Sequence, residues 1–411
     1  MGPLSHIQWP HANACAPGRA ARVIVVWIVA VAGFVWPSRA AAYAWMIRHE
    51  YTGCVPCHAD PSGGGLLTSY GRAQGELLLR TRYGAPNDEE AGRLGGFLFG
   101  AIDLPEDLLL GGDARYFVMK SKAGDAPANT DNFLMQADAT AQLTLDRARA
   151  NASVGYAQQG AFPAALTHGA SDNLVSRVHW IGIDVGDERQ WLIRAGRMNL
   201  PFGIRSIEHT MFVRSATRTD INSGQQYGVA VAYGGEVCRA EAMGIAGNFL
   251  VAPDAYRERG YGGYVECSPS ERLAIGASSL GTHASRDVDL RTERTRQVDG
   301  AFVRYAPWEP LVVLAEADLL IDWEGGGAAA VGTAGMLQTD VELIQGVHVM
   351  ATGELLKSPS RDGTSFAAWG SSAWFFAPHA DVRIDAVYQS LASAHADLGI
   401  ASLLMQLHLY L

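Results

Sequence analysis

From about residue 113 to its end the chain repeats one unit, an alternating segment of roughly 8 to 13 residues followed by a connection. Phe133 to Leu145 carries Gln136, Asp138, Thr140, Gln142 and Thr144 on one parity, and Phe133, Met135, Ala137, Ala139, Ala141, Leu143 and Leu145 on the other. A period of two places these sets on opposite faces of a sheet. The same reading turns inward Glu316 and Asp318 of 311–321, Gln338, Asp340 and Glu342 of 331–343, and His348, Thr352 and Glu354 of 347–357. Asp381, Arg383 and Asp385 share a face in 381–389. The last segment sets Leu403, Met405, Leu407, Leu409 and Leu411 against Gln406, His408 and Tyr410.

Connection lengths add a second regularity. Short links at 268–270, 306–309, 344–346 and 377–380 alternate with longer polar ones near 121–132, 159–173, 198–225, 248–260 and 281–296. Tight turns on one side, long loops on the other, apolar residues to lipid and polar ones to a lumen define an outer-membrane barrel. The predicted fold is therefore all-β: a transmembrane barrel of about 16 antiparallel strands over 101–411, with both ends in the periplasm. A soluble sandwich or propeller also alternates, but would stop and restart as domains.

Composition agrees. A mean hydropathy of +0.02, 18% charged residues and a net charge of −10 fit neither a disordered chain nor a helical membrane protein, and give no basic patch for nucleic acid. The one continuous apolar run, Val23 to Val35, is 13 residues long, too short to span a bilayer. With Arg19 and Arg22 before it and a small-x-small site at Ala40–Ala44, residues 1–44 read as a secretory signal peptide, hence export. Cys15 leaves with this leader. Cys238 and Cys267 fall on one alternation face of neighbouring strands, where a disulfide or two separate buried thiols both fit.

Cys54-Val55-Pro56-Cys57-His58 is the C-x-x-C-H signature of covalent haem c attachment. Two thiolates at this spacing each add to a haem vinyl group, and the adjacent imidazole becomes the proximal iron ligand. A redox dithiol would need a βαβ context, and a zinc site a second ligand pair downstream; neither is found. Residues 45–100 are too few to build a helical cytochrome core, so the barrel lumen is expected to cover this monohaem segment as a plug. Leu66 to Arg82 reads as its one helix, after a flexible Pro61 to Gly65 turn. For the second axial position His49 is the expected ligand, with Met46 and an open or barrel-supplied site as the alternatives; a histidine gives the lower potential.

An inward set of charged and polar residues is ordinary for a wet or plugged lumen, so His179, His348 and His408 read as hydrated lumen residues, and Glu316 and Asp318 are assigned no catalytic role. Arg194 to Ile204 (RAGRMNLPFGI) resembles the strand-to-loop stretch of phosphate-type and oligosaccharide-type porins. Arg197, Arg205, Arg214 and Arg218 could line a constriction or sit in a solvated loop.

The leader, the single C-x-x-C-H near the mature N-terminus, Leu67-Thr68-Ser69-Tyr70-Gly71-Arg72 and the barrel together resemble the fused cytochrome-porin family, which includes bacterial iron oxidases. Its L-T-x-F-G-R segment is matched with Tyr70 for Phe, and its R-Q-T-G is echoed by Arg48 and Thr52-Gly53. The spacing from Thr52-Gly53 to Cys54 is shorter than in the family, and the glycines at 63–65 are added. The resemblance implies electron transfer across the outer membrane. An extracellular donor, with Fe(II) as the candidate, would pass electrons through one haem c to a periplasmic carrier. Loop carboxylates such as Asp172, Asp254 and Glu258 would suit a cationic donor. The alternatives are a solute porin with a redox-sensitive or structural haem plug, and a soluble haem sensor.

Overall fold

The computed structural model describes residues 44–61, 63–83, 93–156, 174–206, 208, 210–392 and 397–411. The expected leader (apart from Ala44), with Cys15, and the loop residue Asp172 lie outside them. The described residues fall in one compact unit.

Strands β1 (Leu108–Ala123), β2 (Asn129–Leu145), β3 (Ala148–Tyr156), β4 (Leu174–Val175), β5 (His179–Val185), β6 (Trp191–Met198), β7 (Gln226–Gly234), β8 (Cys238–Gly247) and β9 (Arg259–Ser270) form the first half of the barrel. The second half is β10 (Leu273–Ala284), β11 (Arg294–Trp308), β12 (Leu311–Glu324), β13 (Ala330–Ile344), β14 (Val347–Lys357), β15 (Ser365–Ala377), β16 (Ala380–Leu391) and β17 (Leu398–Tyr410). Each pairs antiparallel with its neighbours, and β17 pairs with β1 from Asp113↔Tyr410 to Ala123↔Ile400, so the sheet closes on itself. β4 and β5 both pair with β3 and are two pieces of one staff. The barrel thus has 16 strands, as the alternation predicts.

The wall follows the period of two. Leu337, Phe366, Ile384, Leu403 and Leu409 project outward and are exposed, while Gln338, Asp340, Thr352, Asp385 and His408 between them are buried. An apolar exterior that water would penalise is what lipid requires. Aromatic side chains ring both ends of this band: Trp191, Tyr305, Trp308 and Trp374 near the short turns, Tyr261, Trp323, Phe366 and Tyr388 near the long loops. The chain is an outer-membrane β-barrel. Cys238 and Cys267 are opposite each other in β8 and β9 and form a disulfide.

Two segments fill the lumen. The first, before β1, has a 3-10 turn over Ala44–His49 and the helix α1 (Ser69–Gln74), continued by a π turn over Gly75–Leu79. This is shorter than the expected Leu66–Arg82 helix because Thr68 caps it, its hydroxyl accepting from Gly71 N at 3.0 Å, while Leu67 is used in a bridge to His58. The second is the 199–225 connection with helix α2 (Phe212–Thr217), which folds into the barrel instead of out into water. Leu200, Phe202, Ile204, Met211, Phe212 and Val213 are all buried in it.

Candidate functional site

The N-terminal segment closes the short-turn end of the barrel and bonds to strands all round the ring. Arg48 forms a buried ion pair with Asp340 of β13 and donates to Pro310 O at 3.2 Å. Trp45 lies against His348 of β14 and Phe375 of β15, with ring centroids 4.3 and 6.0 Å away. Arg304 of β11 donates to Thr52 O, Arg194 of β6 reaches Asp60 at 3.3 Å, and Arg72 donates to Leu110 O of β1 at 2.6 Å. At the β15–β16 turn His379 N donates to Glu76 at 3.1 Å. Burial pushes the Glu76 carboxyl up, and His379 and Arg80 beside it pull the other way. A segment tied at β1, β6, β11, β13 and the β15–β16 turn spans the whole cross-section.

Within this plug the haem-type motif is one tight turn, with Cys57 N and His58 N both donating to Cys54 O at 3.2 and 3.0 Å. Leu66 to Arg72 clamps it. Thr68 N donates to Cys57 O at 2.9 Å, Thr68 Oγ1 to Pro56 O at 2.6 Å, and Ala59 N to Leu66 O at 2.9 Å. A Cβ on Gly71 would lie 2.3 Å from Cys57 O, so only glycine lets α1 pack this closely. The L-T-S-Y-G-R run is therefore the physical brace of the C-x-x-C-H turn.

Cys57 and His58 open onto a cavity of about 200 Å³ between the plug, the inserted 199–225 segment and the wall, part of it continuous with solvent. On the plug side it is lined by Met46, Leu66, Leu67 and Leu79, and on the wall side by polar groups such as Gln136, Thr140, Asn151 and Arg177. Gly64 and Gly65, both at positive φ, and Gly75 border it where an added Cβ would meet nothing within 4 Å. This lining, mostly apolar with polar groups on the wall side, lies beside a free thiol and an imidazole, the donor types that a covalently attached haem c would need. Cys54 and Cys57 are not disulfide-bonded. Burial, with Cys54 adding to it, pushes the Cys57 thiol up to about 12. Cys54 lies off the cavity lining, its Sγ 2.6 Å from Arg239 Nη1; attachment there would exchange this contact for a thioether.

His49 is not brought to the cavity. Its Nε2 lies 3.6 Å from Glu342 beside the β13–β14 turn, where burial lowers it and Glu342 opposes. Met46 does line the cavity and is 2% exposed. Of the lumen histidines, His348 is buried 3.3 Å from Asp340, and buried His408 sits between Asp381 at 2.8 Å and Asp113 at 3.2 Å. His179 shares the outward parity of Ile181 and Ile183, edge-on to Tyr227 at 5.3 Å. Arg197, its register partner, is buried and lies over the same ring.

The other arginines of the inserted segment are committed. Arg214 pairs with Glu316, which also accepts from Ile204 N at 2.8 Å, and Glu208 pairs with Arg383. Arg218 bonds Glu258 at 2.7 Å and Asp287 at 2.8 Å, and Arg205 donates to Gly63 O at 3.1 Å on the plug. The external carboxylates expected to suit a cation are likewise held by arginine, Asp254 by Arg257 and Arg259, and Glu258 by Arg218 and Arg296. The inserted segment was legible in principle, since Leu200, Phe202 and Ile204 alternate and Met211-Phe212-Val213 is an apolar triplet inside a connection otherwise polar.

Fold and lumen together define a porin-type outer-membrane barrel whose interior is occupied by its own chain. No family model and no curated protein matches the sequence. Among solved structures the chain is similar to in-vitro folded OmpT of Vibrio cholerae, at 10% identity over 76% of this chain and 100% of that one, with a TM-score of 0.57. An anion-selective porin from Comamonas acidovorans (10% identity, 74% and 99% covered, TM-score 0.56) and the outer membrane channel DcaP of Acinetobacter baumannii (9%, 74% and 97%, 0.55) have the same fold.

Proposed function

We propose that the protein carries electrons across the outer membrane through one haem c held on Cys54, Cys57 and His58 inside the barrel, from an extracellular donor such as Fe(II) to a periplasmic carrier. The observation that supports this best is the opening of Cys57 and His58 of the C-x-x-C-H turn onto a cavity bordered by plug, inserted segment and wall within the lumen. When bound, the haem supplies one-electron chemistry. The chain's own residues would hold it: Cys54 and Cys57 by attachment and His58 by its imidazole, with the plug on one side and 199–225 on the other limiting access of bulk water. Low solvent access is one of the protein's levers on haem potential. The resemblance to fused cytochrome-porins, iron oxidases among them, points the same way.

A solute porin with a haem or structural plug is the second reading, favoured by the likeness to porin barrels. The two part experimentally. Detergent-purified protein that shifts on unheated gels, stains for haem after denaturation and is reduced on adding Fe(II) supports electron transfer. Steady ion conductance in planar bilayers by protein whose haem does not respond to any donor would replace it with the porin.

A further inference from the structure

We infer that the Met46 thioether is the second axial ligand to the iron, an inference that rests on the haem reading above. Of the described residues lining the cavity, four carry sulfur or imidazole: Met46, Cys57, His58 and His408. Cys57 and His58 belong to the attachment motif. His408 has both ring nitrogens engaged by carboxylates, Asp381 and Asp113. Met46 remains, and its sulfur is a soft donor suited to haem iron.

The local structure holds it there. Met46 lies in a 3-10 turn whose Trp45, Ile47 and Arg48 are also buried. Arg48 fixes that turn to Asp340 and Pro310, and Trp45 packs on His348. Tyr51 N donates to Met46 O at 3.4 Å, bending the chain back toward the Cys54–His58 turn. His49 is one 3-10 turn further on, roughly 6 Å along the axis, and the Glu342 contact marks where it goes. The two candidates left open by the sequence are thus separated by position: one faces the cavity, the other the β13–β14 turn.

The test uses the full chain matured with haem in an export-competent host, with Met46→Leu, Met46→His and His49→Ala compared by absorption spectra, carbon monoxide binding and redox titration. Met46→Leu is expected to lose the ferric charge-transfer band of thioether ligation and to bind carbon monoxide readily. Met46→His is expected to stay six-coordinate with a lower midpoint potential, while His49→Ala keeps the wild-type spectrum and potential. A wild-type spectrum in Met46→Leu, or loss of six-coordination in His49→Ala, overturns the assignment even where haem is covalently bound. Wild-type protein that carries no haem would instead remove the reading on which it rests. Should Met46→Leu fail to assemble, the His variant decides alone: an unchanged potential overturns the assignment.

Discussion

Replacing Asp340 by Asn tests whether the plug is fixed by chemistry or merely resides in the lumen. Arg48 and Asp340 are both fully buried, and Arg48 reaches this carboxylate from the far side of the chain. Removing one partner of a buried pair costs about 3–5 kcal/mol because the other charge is stranded. Here Glu342, 3.7 Å from Arg48, and Pro310 O remain, which argues for the low end. About 3 kcal/mol is roughly a hundredfold change in the ratio of docked to released plug. Asparagine keeps an acceptor for His348, so the change is confined to the pair. Trypsin cleavage after Arg72, a buried site of the plug that every variant keeps, should accelerate by that factor in folded, detergent-solubilised protein, since cleavage of a rapidly opening segment tracks the open population. The double variant Arg48→Met/Asp340→Leu, in which no charge is stranded, should recover most of the protection. A cleavage rate in Asp340→Asn equal to wild type, or a double variant as labile as the single one, would refute the reasoning.

Gly71→Ala drives a methyl into the Cys57 carbonyl and should cost at least the 1–3 kcal/mol of an overpacked site, read as a lower yield of plug-protected, haem-stained protein. Reducing the Cys238–Cys267 bond, which closes a 29-residue separation, should lower barrel stability by at most about 3–4 kcal/mol on the loop-closure model; a heat-modifiability gel with and without reductant checks it. Acid should free the inserted segment. Burial pushes Glu208 and Glu258 up, but Arg383 holds the first, and Arg296 and Arg218 the second, below the ordinary carboxylate value; Arg218 does the same for Asp287. Their stabilisation is complete above about pH 4.3, the unfolded value, and is lost as pH falls through the lower folded values. Proteolysis within 199–225 should therefore appear only below about pH 4, and cleavage that is independent of pH from 3 to 7 would contradict the clamp.

The barrel was legible because lipid and lumen impose opposite demands on successive side chains, which writes the wall into the sequence with period two. That rule fails where the period slips. A bulge in β2 opposite Arg115 and Tyr116 inserts Met135, so Phe133, expected on the lipid side, turns inward to meet Phe117 at 5.1 Å. His179 opens its strand after a break, so its parity has to be taken from Trp180, buried beneath Arg194, and from the exposed Ile181 and Ile183. The attachment motif could be read because its chemistry demands fixed spacing. Which upstream donor faces the cavity could not, because Met46 and His49 lie three residues apart in one turn and only contacts with Asp340, Glu342 and Pro310, some 260 to 296 residues later, orient it. The lumen arginines were visible as residues; their carboxylate partners come from remote strands and were not.

The intact mass of the denatured, detergent-purified chain, combined with its haem absorption after exhaustive extraction in acidified organic solvent, addresses the core of the account directly. The expected result is a single species heavier than the exported polypeptide by one haem, shifting to the bare mass in a Cys54→Ser/Cys57→Ser variant that still folds as a heat-modifiable barrel. A wild-type barrel produced with the haem-attachment machinery present and found only at the bare polypeptide mass would contradict it, and leave a plugged porin in its place.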